Sequence, residues 1–138
     1  MASQEKYHYF LLAAAGAAIG FAVQKTDGIA LSWWLLPVAC ATMSWALSFW
    51  CGCMAIRWVN TAMSANYHLL LLGDGRHLRQ PQTPIETAAA KKGVTDAIGI
   101  SIEKASTFAK FQFRLFVLGA VLFITWRVLE MSRLSSHA

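Results

Sequence analysis

The chain has 138 residues, of which 57% are hydrophobic and only 14% are charged, and its net charge is +5. Soluble domains carry about 25% charged residues, so this composition argues against a water-soluble globular domain and favours an integral membrane protein. The basic residues alternate with acidic ones and form no dense basic or aromatic platform, which argues against nucleic-acid binding.

The first apolar run extends from Tyr9 to Val23 and follows Lys6. A short apolar run after a basic residue also has the form of a secretory signal peptide. Small residues recur within this run at four-residue spacing, however, which lets two membrane helices approach closely. The candidate packing residues are Ala14, Gly16, Ala18 and Gly20. We therefore predict a retained first span, whose small residues either form a helix interface or are simply tolerated in an apolar helix.

The second apolar run, from Ile29 to Ile56, contains no Asp, Glu, Lys or Arg. Such a run is the signature of a transmembrane helix, because about 20 residues at about 1.5 Å each cross the hydrocarbon core. The short connection between the two runs makes the second span return antiparallel, which predicts a membrane hairpin over 1–56. Pro37 fits the first turn of a helix that starts there, or a kink in one that starts near Ser32.

A stripe of small and mildly polar residues follows the second span at four-residue spacing. Its members are Cys40, Ser44, Ser48 and Gly52. In lipid, such a stripe is either a helix-packing seam or the lining of a pathway. No Asp, Glu or His lies in the middle of any span, which argues against a proton relay or an ion-coupled transporter.

No catalytic or metal-binding constellation is recognisable in the sequence. Cys51 and Cys53 are soft ligands that suit Cu(I), but on one helix they point about 200° apart and cannot chelate one ion together. The sequence contains no nucleophile with a base, no phosphate-binding glycine loop and no paired carboxylates. We therefore expect a non-enzymatic protein with no metal and no cofactor.

Residues 57–110 predict a helical hairpin outside the membrane, with its turn at 73–83. Gly73-Asp74-Gly75 ends the first helix, since glycine closes helix C-termini and starts turns. Thr83-Pro84-Ile85-Glu86 has the pattern of a capping box with proline at the first helical position, which begins the next helix. Most of the chain's Lys and Arg lie between the second and third apolar runs. The positive-inside rule therefore places this hairpin and the N-terminus in the cytoplasm.

The third apolar run, 111–131, is predicted to be a third span that puts the tail, 132–138, outside. Its uncharged centre, 115–126, is too short to cross alone, but Arg114 and Arg127 can extend to opposite headgroup layers. The alternative is an interfacial helix. The residues expected to anchor the spans at the two water interfaces are Trp33, Trp34, Arg57, Trp58, Arg114 and Arg127.

In layout, the chain resembles the small two- and three-span membrane effectors of bacterial defence systems. In those proteins a hairpin like Tyr9–Ile56 is joined to a cytoplasmic helical part that senses a partner or a signal. The likeness covers the order and the size of the segments. It implies an oligomeric pore or a membrane-disrupting effector, which we expect in a bacterial inner membrane.

Two functions remain open at this point. The first is a homo-oligomeric, all-α membrane protein whose spans surround an ion-conducting pore or permeability path that the cytoplasmic hairpin gates. The second is a non-enzymatic accessory or scaffold subunit of a larger membrane complex. The expected partners are the lipid bilayer, further copies of the chain and a soluble cytoplasmic protein, with no nucleic acid. A ring-like assembly of the purified protein favours the first function, and a monomer favours the second.

Overall fold

The structure, a computed structural model, describes residues 2–26 and 33–135, and these are almost entirely helical. The helices are α1 (Ala2–Thr26), α2 (Leu36–Gly73), which follows a short 3-10 turn at Trp33–Leu35, and α3 (Pro84–Ser135). The described ranges contain no strand, so the predicted all-α class is confirmed. The connection expected between the first two spans falls largely on 27–32, and the end of the tail falls on 136–138; both lie outside the described residues.

Each of the three helices contains a segment that is long and apolar enough to cross a membrane. The helices α2 and α3 have 38 and 52 residues. At about 1.5 Å per residue they extend about 57 Å and about 78 Å, and both lengths exceed a hydrocarbon core of about 30 Å. Helix α3 continues through Gly93 and Gly99, because a glycine weakens a helix without ending it. The third apolar run, 111–131, therefore lies in the last part of this one helix.

The ends of α2 follow the signals in the sequence. The helix begins at Leu36, so Pro37 lies in the first turn, where its missing N–H costs no hydrogen bond. At the other end, the backbone N–H of Arg76 donates to the carbonyl oxygen of Leu71 at 3.0 Å. Gly75 has a φ of 71°. This six-to-one hydrogen bond with a left-handed glycine is a Schellman motif, and it ends the helix where the glycines predicted.

The capping box predicted at the start of α3 is confirmed. The backbone N–H of Glu86 donates to the Thr83 hydroxyl, and the backbone N–H of Thr83 donates to the Glu86 carboxylate, both at 3.3 Å. Pro84 is the first helical residue. Since the first amides of a helix have no partner within it, these reciprocal bonds fix the start of α3.

The chain divides into two compact units, Met1–Gly52 with Ala109–Ala138 and Cys53–Phe108. In the first unit, successive contacts pair rising positions in α2 with falling positions in α3, so these two segments are antiparallel. Its core cluster consists of Ala22, Val38, Ala41, Trp45 and Trp126. In the second unit, the Lys104 ammonium lies 4.2 Å from the centre of the Trp58 ring. Its buried residues include Ala62, Leu72, Ser101 and Ala105.

Candidate functional site

Three of the four residues of the predicted stripe on α2 face α3 within the first unit. The Ser48 hydroxyl donates to the carbonyl oxygen of Gln112 at 2.7 Å, and the Ser44 hydroxyl donates to that of Leu115 at 3.0 Å. Both serines are buried, and Ser48 is only 1% exposed. A carbonyl oxygen has two lone pairs, so it accepts these bonds in addition to its helical bond. The two hydroxyls therefore tie α2 to the backbone of α3.

Gly52 continues this contact by leaving room for a buried amide. Gln112 of α3 is fully buried, and a Cβ added at Gly52 would lie 2.6 Å from its Nε2 atom. No side chain larger than hydrogen fits at this position without movement of the glutamine. Cys40, the remaining member of the predicted stripe, is exposed.

A second glycine makes the reciprocal arrangement on α3. The Trp45 indole of α2 lies against Gly119, where an added Cβ would be 2.6 Å from the indole Nε1. The same Nε1–H donates to the carbonyl oxygen of Phe116 at 3.2 Å, and Trp45 is 4% exposed. Each helix thus supplies one large buried side chain and one glycine. We call this contact the α2/α3 seam; its residues are Ser44, Trp45, Ser48, Gly52, Gln112, Leu115, Phe116 and Gly119.

The sequence analysis missed Trp45, Gln112 and Gly119. A signal existed for the last two, because Gln112 is the only side-chain amide in the third apolar run and Gly119 is the only glycine there. Trp45 gave no such signal, since a tryptophan in an apolar run can face lipid as readily as it can face another helix.

Helix α1 packs through alanines rather than through its glycines. Ala15 and Ala22 are fully buried, whereas Gly16 and Gly20 are exposed. A Cβ added at either glycine would have no neighbour within 4 Å in the described structure. Ala14 and Ala18, also predicted as packing residues, are partly buried. The described part of the chain therefore offers no packing neighbour at either glycine, and their contact with another molecule stays a prediction.

The expected anchor residues are distributed over both units. In the first, Trp33 is 86% exposed, and the Arg133 guanidinium lies 5.1 Å from the centre of the Trp34 ring. Arg127 forms an ion pair with Glu130 at 2.7 Å. The other predicted anchors are Arg57 and Arg114, which are exposed, and Trp58, which is half-buried under Lys104.

No group of three or more His, Cys, Asp or Glu side chains that could hold a metal ion occurs in the described part of the chain. Cys51 is buried and Cys53 is partly buried, and neither is in a disulfide. The turn after α2 brings His77 to His68, with 5.4 Å between ring centres. The His77 Nδ1 accepts a hydrogen bond from the backbone N–H of Arg79 at 3.1 Å, which orients the ring within the turn.

No protein-family model matches the chain, and no similar curated protein or solved structure was found, so the geometry of the α2/α3 seam alone indicates its role. Its polar groups are two hydroxyls, an indole and an amide. The hydroxyls and the indole donate hydrogen bonds to backbone carbonyl oxygens of α3, and the four groups do not combine a nucleophile with a base. Buried among apolar side chains, such groups hold two helices in a fixed register.

Proposed function

We propose that the chain is a multi-pass membrane protein that acts without catalysis, as an accessory or scaffold subunit of a membrane complex. The observation that carries this choice is the burial of Ser44 and Ser48 in the α2/α3 seam. A pore needs a wettable face along its spans, and these hydroxyls were the best candidates for one. Because they bond to the backbone of α3, they are used for packing within one molecule.

Membrane insertion is supported by what α3 leaves exposed. Large apolar side chains along one broad face of its last part are about half exposed, which would be costly in water. They include Val117, Leu118, Val121, Ile124 and Val128. Of the polar side chains in this segment, Gln112 is buried in the seam, whereas Arg114 and Arg127 are exposed. An apolar exterior around a few buried polar groups is the arrangement expected of helices in lipid.

We propose that the N-terminus and 57–110 lie in the cytoplasm and the C-terminus outside, in a bacterial inner membrane, because most basic residues lie between the second and third apolar runs. Single cysteines at Ser3, Thr95 and Ser136 in a variant without native cysteines test this. An impermeant thiol reagent on intact cells should label only the Ser136 position. Labelling at the Thr95 position on intact cells would show that the topology is the inverse of the proposed one. If Ser136 is labelled only after the cells are opened, α3 does not cross.

The second unit is the part of the chain suited to a soluble partner. Met63, Tyr67 and Leu70 lie at helical spacing on α2 and are each about half exposed or more. Outside a membrane, an exposed apolar stripe of this kind marks a protein contact. In the proposed topology, this stripe faces the cytoplasm, where a soluble protein can reach it.

The second candidate function is a homo-oligomeric pore, and the open glycines of α1 favour it. Gly16 and Gly20 allow the backbone of a second copy to approach closely. In that case the path would be lined by faces other than the α2/α3 seam, and the second unit would gate it.

Purified protein distinguishes the two functions. We expect a monomer in detergent by light scattering and no ion flux after reconstitution into liposomes. The double variant Gly16→Leu/Gly20→Leu should raise the free energy of unfolding of that monomer by about 1–2 kcal/mol, because both positions are exposed and leucine is the better helix former. The control Ala15→Leu, at a fully buried position, should lower it by about 1–3 kcal/mol. If the wild type forms a ring that conducts ions, and the double variant loses both the ring and the flux, the pore function would replace the scaffold function.

A further inference from the structure

An open groove runs along the first unit between the start of α2 and the end of α3. Its volume is about 540 Å³, and its lining includes Trp33, Trp34, Cys40, Leu122, Trp126 and Leu129. Small-molecule sites are clefts of about 300–1,000 Å³ that are mostly apolar and have a few polar groups to fix orientation. This groove, called the tryptophan groove below, has the size and the apolar lining of such a site.

One end of the tryptophan groove carries a cation. On α3, the lining positions 122, 126 and 129 recur at helical spacing, and Arg133 is the next residue of the same stripe. Its guanidinium lies 5.1 Å from the centre of the Trp34 ring, which itself lines the groove. A planar guanidinium held over an aromatic ring still presents its N–H fork to a phosphate.

The surrounding charges are also positive on balance. Lys25, at the end of α1, lies 5.8 Å from the centre of the Phe21 ring. Phe21 contacts Phe123, which contacts Trp126 in the groove. Arg127 is neutralised by Glu130, whereas no ion pair involves Lys25 or Arg133 within the residues that the structure describes.

We propose that the tryptophan groove binds an anionic phospholipid, with one acyl chain along Trp126 and Leu122 and the phosphate at Arg133. Tryptophan at a membrane interface marks the headgroup level, which matches a phosphate there and an acyl chain deeper. A cleft of about 540 Å³ holds little more than one turn of a helix about 10 Å wide. A flexible acyl chain fits such a cleft better than a helix of a second copy does. The inference rests on the proposed membrane insertion, which the cysteine-labelling experiment tests separately.

Native mass spectrometry of the purified protein tests the site with two lipids that share acyl chains, dioleoyl phosphatidylglycerol and dioleoyl phosphatidylcholine. We expect the anionic lipid to be retained about fivefold better, as one basic side chain near a membrane surface gives. Arg133→Gln should remove this preference, and Arg79→Gln, at an exposed position in the second unit, should keep it. Equal retention of both lipids by the wild type would overturn the proposal. An equal loss in the two arginine variants would do so as well.

Two further measurements locate the lipid. Cys40→Trp fills the groove and should reduce retention of both lipids, whereas Met43→Trp, at an exposed position that does not line it, should not. In a Cys51→Ala/Cys53→Ala background, phosphatidylglycerol should slow the reaction of Cys40 with a maleimide. Unchanged labelling would place the lipid elsewhere. A dimer that Cys40→Trp abolishes would assign the groove to a second copy of the chain, against the proposal.

Discussion

Replacing Gly119 with alanine is expected to lower the free energy of unfolding by about 2 kcal/mol, within the range for overpacked cores. The new methyl group would lie 2.6 Å from the Nε1 atom of Trp45. The indole has little freedom to move, because it is 4% exposed and its Nε1–H is bonded to the carbonyl oxygen of Phe116. Titration with SDS in mixed micelles, followed by circular dichroism, measures the loss.

The same substitution at Gly99 is the matched control. An alanine there would have no neighbour within 4 Å, so it should raise the free energy of unfolding by about 0.5–1 kcal/mol through helix propensity alone. In a Trp45→Leu background, Gly119→Ala should cost much less, since the clashing ring is gone. Equal effects of Gly119→Ala in both backgrounds would show that the two residues do not contact.

Gly52 provides a graded comparison within the same seam. A methyl group there would meet the end of the Gln112 side chain, 2.6 Å from Nε2. Because a glutamine side chain bends more easily than an indole, Gly52→Ala should cost less than Gly119→Ala. Comparing the two substitutions therefore shows how much the rigidity of the neighbouring side chain matters, because an added Cβ would be 2.6 Å from its nearest atom at both glycines.

The ends of the helices could be predicted from the sequence because local chemistry determines them. Gly75 supplies a left-handed residue, and Thr83 with Glu86 supplies the partners of two backbone amides. Each of these signals acts within a few residues of the chain. No distant contact is needed to place them, so the structure reproduces both.

Which face of each helix is buried against the rest of the chain could not be predicted from local signals in the same way. A helix has 3.6 residues per turn, so residues four apart are rotated by about 40° from one another. Cys40 is therefore turned by about 120° from Gly52, and it is exposed while Gly52 is buried. On α1, the buried positions include Leu11, Ala15 and Ala22, and Gly16 is turned by about 100° from Ala15.

The partner of each face depends on residues far apart in sequence. Ser48 of α2 and Gln112 of α3 are 64 positions apart in the sequence but are in contact in the structure. No residue near either of them specifies this pairing. The sequence therefore left the stripe open between a seam and a pore lining. Only the position of α3 against α2 shows which groups the serines contact.

Ser48→Leu is expected to lower the free energy of unfolding by about 3 kcal/mol, the upper end for overpacking. The larger side chain replaces a hydroxyl that is 1% exposed, and it removes the hydrogen bond to Gln112. Ser48→Ala removes the hydrogen bond alone and should cost about 1 kcal/mol, the size measured for a hydrogen bond between two membrane helices. Ser64→Leu, at an exposed serine of the same helix, should change stability by no more than about 0.5 kcal/mol.

These variants also decide whether the serine stripe conducts. A lumen-facing Ser48 would accept leucine with little loss of stability, because the side chain would enter an open path, and conductance in liposomes would fall as the path dewets. A seam-facing Ser48 gives the opposite result: Ser48→Leu lowers the free energy of unfolding strongly, and neither the wild type nor the variant conducts ions. Since the hydroxyl donates to the Gln112 carbonyl oxygen at 2.7 Å, we expect the second result. A stable Ser48→Leu protein with reduced flux would remove the main support for the scaffold function.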